Sequence, residues 1–173
     1  MHRIAYIALG SNLASSCGSP AETIQAAIGR LRDLGSITAR SSLYATEPVG
    51  YHEQPAFVNA AVALETERTP DELMRDLLTL EREFGRERDA AKPKGPRTLD
   101  LDLLLMDDLI VQTPSLTLPH PAMAERRFVL APLAEIAPGL EHPVLRHSIA
   151  RLLAALPDAG ENRIAAVRPF KKT

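Results

Sequence analysis

Tryptophan is absent from this 173-residue chain, and cysteine occurs once, as Cys17. One thiol excludes an intramolecular disulfide and is at home in a reducing cytoplasm, where the protein is expected. No Cys/His cluster has the spacing of a zinc site. Only four phenylalanines and three tyrosines are present, so any of them near polar residues is a candidate for stacking on a flat ligand. No apolar run approaches the roughly 20 residues of a membrane-spanning helix. Met1-His2-Arg3-Ile4 leads directly into a strand-like segment, so no signal peptide is expected. A dominant charge sign is also lacking: 20 Lys and Arg face 22 Asp and Glu, for a net charge of −2. The whole-molecule field therefore does not attract nucleic acid, and any basic site is local. Gly-rich phosphate loops are missing, and no serine or cysteine has an evident base partner for covalent catalysis.

What is present describes an ordinary globular chain, 45% apolar and 24% charged, long enough for one domain with a sizeable core. Ile4 to Leu9 reads as a buried strand ended by Gly10-Ser11-Asn12. Ser19-Pro20-Ala21-Glu22 is a capping box with proline at the first helical position. Ile24, Ala27, Ile28 and Leu31 follow at helical spacing, with Gly35 as the expected C-terminal cap. Ile37 to Ala45 reads as a second strand and Thr46 to Pro55 as a loop. A third strand, Phe57 to Glu65, places Phe57, Asn59, Ala61 and Ala63 on one face. Thr69-Pro70-Asp71-Glu72 repeats the capping box before the stripe Leu73, Leu77, Leu80 and Phe84, with Gly85 as cap. The loop Arg86 to Thr98 leads to a fourth strand at Asp100. This βαββαβ order predicts an α+β fold: a ferredoxin-like sandwich, its antiparallel sheet carrying both helices on one face and leaving the other for a site. Residues 107–173, with a short helix near Ser148 to Leu156, are expected to wrap the core as an extension.

The chemistry concentrates in Lys92-Pro93-Lys94-Gly95-Pro96-Arg97-Thr98-Leu99-Asp100-Leu101-Asp102-Leu103. In a strand, alternate side chains share a face, so Asp100 and Asp102 point together and Leu99, Leu101 and Leu103 point away. Their Cα atoms then lie roughly 6.5–7 Å apart, a spacing at which both carboxylates can converge on one hard cation or bridge two. The alternative is a half-buried strand with a solvated polar face. Aspartate is a poor strand former, and two like charges on one face repel unless a cation lies between them. Both facts favour a metal-phosphate site.

Three loops can meet there. Arg86, Arg88, Lys92, Lys94 and Arg97 make a basic loop suited to clamping phosphates, or equally a solvated surface loop offset by Glu87 and Asp89. The segment Thr117 to Phe128 places His120 between two prolines, rigid and exposed, with Arg126 and Arg127 about two turns along a short helix. The loop from Thr46 to Asn59 offers a ring, Phe57, and an amide that can both donate and accept. Phe57 and Phe128 could flank a flat heterocycle, although their positions alone favour core packing.

Taken together, Tyr6 to Leu13, Asn59-Ala60-Ala61-Val62, Gly95-Pro96-Arg97-Thr98-Leu99-Asp100-Leu101-Asp102, and Pro119-His120 through Phe128 closely resemble the 6-hydroxymethyl-7,8-dihydropterin pyrophosphokinases of folate biosynthesis. The likeness runs in order from about Ile4 to Pro138. It implies one pyrophosphokinase domain with a core of about 4–138 and an extension of about 139–173. The implied reaction moves pyrophosphate from ATP to 6-hydroxymethyl-7,8-dihydropterin and releases AMP. Two Mg²⁺ ions are implied on Asp100 and Asp102. Thr46, Val49, Phe57, Asn59 and Phe128 match pterin-pocket positions. Arg86, Arg88, Arg97, Thr117, His120 and Arg126 match nucleotide and phosphate contacts, with Arg86, Arg97 and His120 beside the aspartates in the catalytic set. Gln54 and Glu81 match further recurring positions. Lys94 stands where many bacterial members carry tryptophan. The expected partners are the two substrates alone, with no nucleic acid or membrane, and the expected state is a monomer. The rival reading is a non-catalytic ferredoxin-like module that binds RNA or a regulatory small molecule without Mg²⁺.

Overall fold

The computed structural model describes residues 1–46, 56–85, 97–157 and, as backbone, the strand at 164–166. The expected loops holding Val49, Gln54, Arg86, Arg88, Lys92 and Lys94 lie outside the described residues. In chain order the elements are β1 (Arg3–Ser11), α1 (Pro20–Leu31), β2 (Ser36–Arg40), β3 (Tyr44–Thr46), β4 (Phe57–Thr66), α2 (Pro70–Glu83), β5 (Asp100–Met106), β6 (Val111–Gln112), β7 (Thr117–Leu118), a 3-10 turn (Met123–Glu125), α3 (Arg127–Ile136), α4 (Ile149–Ala154) and β8 (Ile164–Ala166).

Both helices of the core begin where their caps demand. The Ser19 hydroxyl accepts the Glu22 N–H at 3.3 Å while the Glu22 carboxylate accepts the Ser19 N–H at 3.0 Å. Thr69 and Glu72 repeat this at 3.2 and 2.9 Å. Each box satisfies two donors that a helix start otherwise leaves unpaired. Gly85 ends α2 with φ +82, its N–H on the Arg82 carbonyl at 3.0 Å. Gly35 is not the cap of α1; Arg32 is. A Cβ on Gly35 would lie 2.1 Å from the Glu65 carbonyl oxygen, so glycine is needed there for close passage of two backbones.

The sheet is antiparallel, ordered β5-β1-β4-β3-β8, with β2 also paired to β4. Its central strands have the ferredoxin-like order. Where the sequence suggests one strand, Ile37 to Ala45, the chain forms two. Ser41 is the reason: its hydroxyl accepts the Ala61 N–H at 2.8 Å, and the Ser42 N–H leaves the ladder for Glu135 of α3 at 2.7 Å. A side chain thus substitutes for the backbone acceptor and breaks the strand.

One face of the sheet, through Ala5, Ile7, Leu9, Ala60, Val62, Leu64, Leu101 and Leu103, packs on Ile24, Ile28 and Leu31 of α1 and on Leu73, Leu77 and Leu80 of α2. The other face is not left wholly to a site. Ala61, Leu104 and Leu105 pack against Val129, Leu130 and Leu133 of α3 and Ile149 of α4. A bulge makes this second core possible. The pairing of β1 with β5 jumps from Ile7↔Leu103 to Tyr6↔Leu105, skipping Leu104. The extra residue resets the alternation, so consecutive leucines reach the α3 side while the aspartates upstream keep theirs.

Candidate active site

At the end of that face not occupied by α3, the register sets residues in rows across three strands. Asn59 of β4, Gly10 of β1 and Asp100 of β5 are successive neighbours, and the next row, Ala61, Ala8 and Asp102, runs up to the α3 core. Gly10 forms a low floor: a Cβ there would lie 3.0 Å from Asn59 Oδ1, 3.8 Å from the Phe57 ring and 4.0 Å from Asp100 Cβ.

The two aspartates are half-buried and share the face, as alternation requires, while Leu101 and Leu103 are buried behind them. Glu81 of α2 fixes the start of β5. It is 2% exposed, and its carboxylate accepts the Leu101 N–H at 2.9 Å. Arg97 Nη1 donates to Asp100 Oδ2 at 3.1 Å, and its guanidinium lies 5.3 Å from the centre of the Phe57 ring. Asn12 clasps the Arg97 backbone from both sides: the Asn12 N–H donates to the Arg97 carbonyl at 3.1 Å, and Asn12 Oδ1 accepts the Arg97 N–H at 2.8 Å. In the sequence Asn12 reads as a turn residue within the matched block Tyr6 to Leu13, with no role of its own assigned. Its role depends on a partner 85 positions away, and no local pattern announces it.

His120 is less exposed than two flanking prolines suggest, at 24%. Its N–H is anchored on the Leu104 carbonyl at 2.9 Å, and its Nδ1 accepts the Ala122 N–H at 3.2 Å. The Nε2, which carries the proton in the neutral ring, is 4.0 Å from Asp102 Oδ1. Burial pushes the imidazole below its ordinary pKa, the positive charge of Arg126 adds to this, and the charge of Asp100 opposes it. The ring is therefore a neutral N–H donor near pH 7. Beside it a cleft of 240 Å³ is lined by Asp102, Thr113, Ser115, Thr117 and His120 among others. A larger cavity of 540 Å³ at the far end of the sheet, around His2, Gly35 and Glu65, touches none of these residues.

Arg126 is not inside a helix. It is the extended residue (φ −118, ψ 107) between the 3-10 turn and α3, and its guanidinium lies 5.7 Å from the Phe128 ring centre. Phe128 borders the α3 core, whereas Phe57, half-buried, joins neither apolar cluster among the described residues. On the opposite wall Asn59 Nδ2 donates to Thr46 Oγ1 at 2.6 Å, and both residues are buried. The pair is left with an amide oxygen to accept and a hydroxyl hydrogen to donate.

The structure thus brings Phe57, Asn59, Thr46, Arg97, Asp100, Asp102 and His120 toward one end of one sheet face, with exposed Thr117 lining the cleft. Among the described residues no group of three or more His, Cys, Asp or Glu gathers as a metal cage. Two carboxylates suit Mg²⁺, a hard ion that takes few protein oxygens and completes its shell with water and phosphate. No helix among the described residues is long and apolar enough to cross a membrane.

Residues 6–138 match the family model described as 7,8-dihydro-6-hydroxymethylpterin-pyrophosphokinase (HPPK). The chain belongs to this family. The 2-amino-4-hydroxy-6-hydroxymethyldihydropteridine pyrophosphokinase of Pseudomonas aeruginosa is 45% identical over 161 residues, covering 92% of this chain and 95% of that protein. Its namesake in Bacillus subtilis is 44% identical over 143 residues, covering 82% of each. The chain also matches the folic acid synthesis protein fol1 of Schizosaccharomyces pombe at 38% identity, but spans only 21% of that longer protein. Among solved structures, a Plasmodium falciparum HPPK-DHPS triple mutant with SDX-DHP aligns with a TM-score of 0.69 at 16% identity, over 89% of this chain and 41% of that one. That likeness concerns the fold alone.

Proposed function

We propose that this chain transfers the pyrophosphoryl group of ATP to the hydroxymethyl group of 6-hydroxymethyl-7,8-dihydropterin in folate biosynthesis. The hydroxyl oxygen bonds to the β-phosphorus, the α–β bridging bond breaks, AMP leaves, and the hydroxyl proton is lost to solvent. The observation that carries this reading is the placement of Asp100 and Asp102 on the same sheet face as the Thr46–Asn59 pair, within the family's matched span.

Asp100 and Asp102 would hold Mg²⁺, two ions in our reading, whose chemistry when bound is to neutralise phosphate charge and make the attacking hydroxyl more acidic. Asn59 and Thr46 offer an acceptor and a donor to the edge of the pterin, and Phe57 and Phe128 offer it two ring faces. Val49 would complete that pocket. Arg97, Arg126, Thr117 and the neutral His120 donate to phosphate oxygens, as would Arg86 and Arg88 of the basic loop. None of these groups needs to form a covalent bond. Positioning and charge complementarity account for the catalysis, as in other phosphoryl transfers. The RNA-module reading fares worse, because a carboxylate pair repels a phosphate backbone. We read the chain as one domain, monomeric and cytoplasmic, with residues 139–173 as an extension of the core.

Phosphorus NMR tests the reaction. AMP and the pterin diphosphate are expected in equal amounts, strictly dependent on added pterin and Mg²⁺, with little ATP hydrolysis otherwise. ADP as the main product overturns the pyrophosphokinase reading.

A further inference from the structure

Glu135, near the C-terminal end of α3, takes no part in the site as described, yet its carboxylate receives three donors from across the molecule. The Ser42 N–H donates to Oε2 at 2.7 Å, the Ser42 hydroxyl to Oε1 at 2.6 Å, and the Tyr44 hydroxyl to Oε2 at 3.1 Å. These donors lie 91 to 93 positions away in sequence. Tyr44 and Thr46 lie two residues apart on β3 and so point to the same side of it, and Ser42 lies in the break just before that strand. Thr46 in turn accepts from Asn59. The segment from Ser42 to Thr46 is thus tied to α3 through Ser42 and Tyr44 and ends at the substrate-reading pair.

We propose that Glu135 is a positioning residue, a latch that fixes β3 against α3 and through it sets Thr46 and Asn59 for the pterin edge. The proposal rests on the pterin reading of that pocket. Three features of the fold support it. The strand is only three residues long, so its ladder alone holds it weakly. The Ser41–Leu43 break leaves it without continuity to β2, and the bonds to Glu135 sit at that break. The same helix carries Phe128 two turns before Glu135, on the same side of the helix, so one carboxylate ties together the elements bearing Thr46 and Phe128. Burial and the bond to Glu135 push the Tyr44 phenol up to about 12, so it stays a donor throughout the working pH range.

The test compares Glu135→Ala and Glu135→Gln with the double variant Ser42→Ala/Tyr44→Phe, which keeps the carboxylate and removes two of its donors. Each is first shown to be folded by circular dichroism. Glu135→Ala is expected to raise the pterin Kd and KM by roughly fivefold to tenfold, the scale of lost charge-assisted hydrogen bonds, with the ATP KM and kcat within about twofold of the parent. Glu135→Gln, which keeps one acceptor oxygen, should fall between. Adding Ser42→Ala and Tyr44→Phe to Glu135→Ala should cost nothing more, since all three act through one latch. Amide shifts of Thr46 and Asn59 in the unliganded protein should move in Glu135→Ala, and these need no substrate. Unmoved amides overturn the latch. So does a pterin Kd within twofold of a parent that binds pterin, or an equal rise in both KM values. If Glu135→Ala does not fold, the double variant decides by the same criteria. A parent that binds no pterin overturns the reading of the pocket instead, and the amide shifts still judge the latch.

Discussion

Arg97 Nη1 sits 3.1 Å from Asp100 Oδ2, so one carboxylate of the strand pair already has a cation beside it. The pair is 16% and 22% exposed, where ion pairing is stronger than at an open surface. This contact explains how two aspartates can share a strand face without unfolding it. It also means that any cation binding at Asp100 competes with Arg97 for the same oxygen.

If Asp100 and Asp102 hold Mg²⁺ as proposed, Asp100→Asn and Asp102→Asn are each expected to lower the rate of AMP formation by more than about tenfold, because each would remove a charged oxygen ligand. The fold should survive, since neither side chain belongs to an apolar cluster and the repulsion between them is relieved. Turnover with saturating Mg²⁺, alongside circular dichroism, checks this. Near-normal rates in both variants would remove the metal assignment.

Phe57→Ala should weaken pterin binding by about 1–3 kcal/mol, the range for loss of a stacking partner, and leave ATP binding alone. It should remain folded because, among the described residues, the ring joins neither apolar core. Gly10→Ala should act in the same direction from below, since its methyl would press on Asn59 Oδ1 from 3.0 Å. Titration of each variant with pterin and with ATP separates the two affinities; equal losses of both contradict the assignment.

Acid stability should depend on His142, which is 6% exposed and whose Nδ1 accepts the Val144 and Leu145 N–H groups at 3.2 and 3.0 Å. Burial lowers its pKa below the ordinary 6.5. The neutral ring is therefore favoured by folding, and its contribution is full above about pH 6.5 and lost as pH falls through the lowered folded value. His120 adds a loss of the same sign. Denaturant unfolding between pH 7.5 and 5 should show falling stability, with a shallower slope in His142→Asn, whose amide oxygen can accept the same two N–H groups without titrating. An unchanged slope counts against this account.

The sequence was most legible where structure is local. Both capping boxes, the helical stripes and the facing of Asp100 and Asp102 away from Leu101 and Leu103 follow from residues within a few positions of one another. Of the candidate site residues, Arg97, Asp100 and Asp102 were the most legible because they sit in one specific contiguous block, Gly95 to Asp102. What escaped was set by distant partners. The Ser41 break needs Ala61 and Glu135, Gly35 needs the Glu65 carbonyl, and the covering of half the site face needs the bulge at Leu104 to bring Leu105 under α3. Arg126 reads as part of a short helix with Arg127, but the chain is extended there, between the 3-10 turn and α3.

The pairing of β8 with β3, Ile164 opposite Thr46 and Ala166 opposite Tyr44, bears on the order in which the protein is made. A growing chain that has emerged only as far as Pro157 already contains Asp100, Asp102 and His120, and can assemble the carboxylate end of the sheet. The outer neighbour of the strand bearing Thr46 is still inside the ribosome. The strand bearing Asp100 and Asp102 can therefore take its place beside β1 before β3 gains β8 as its outer neighbour.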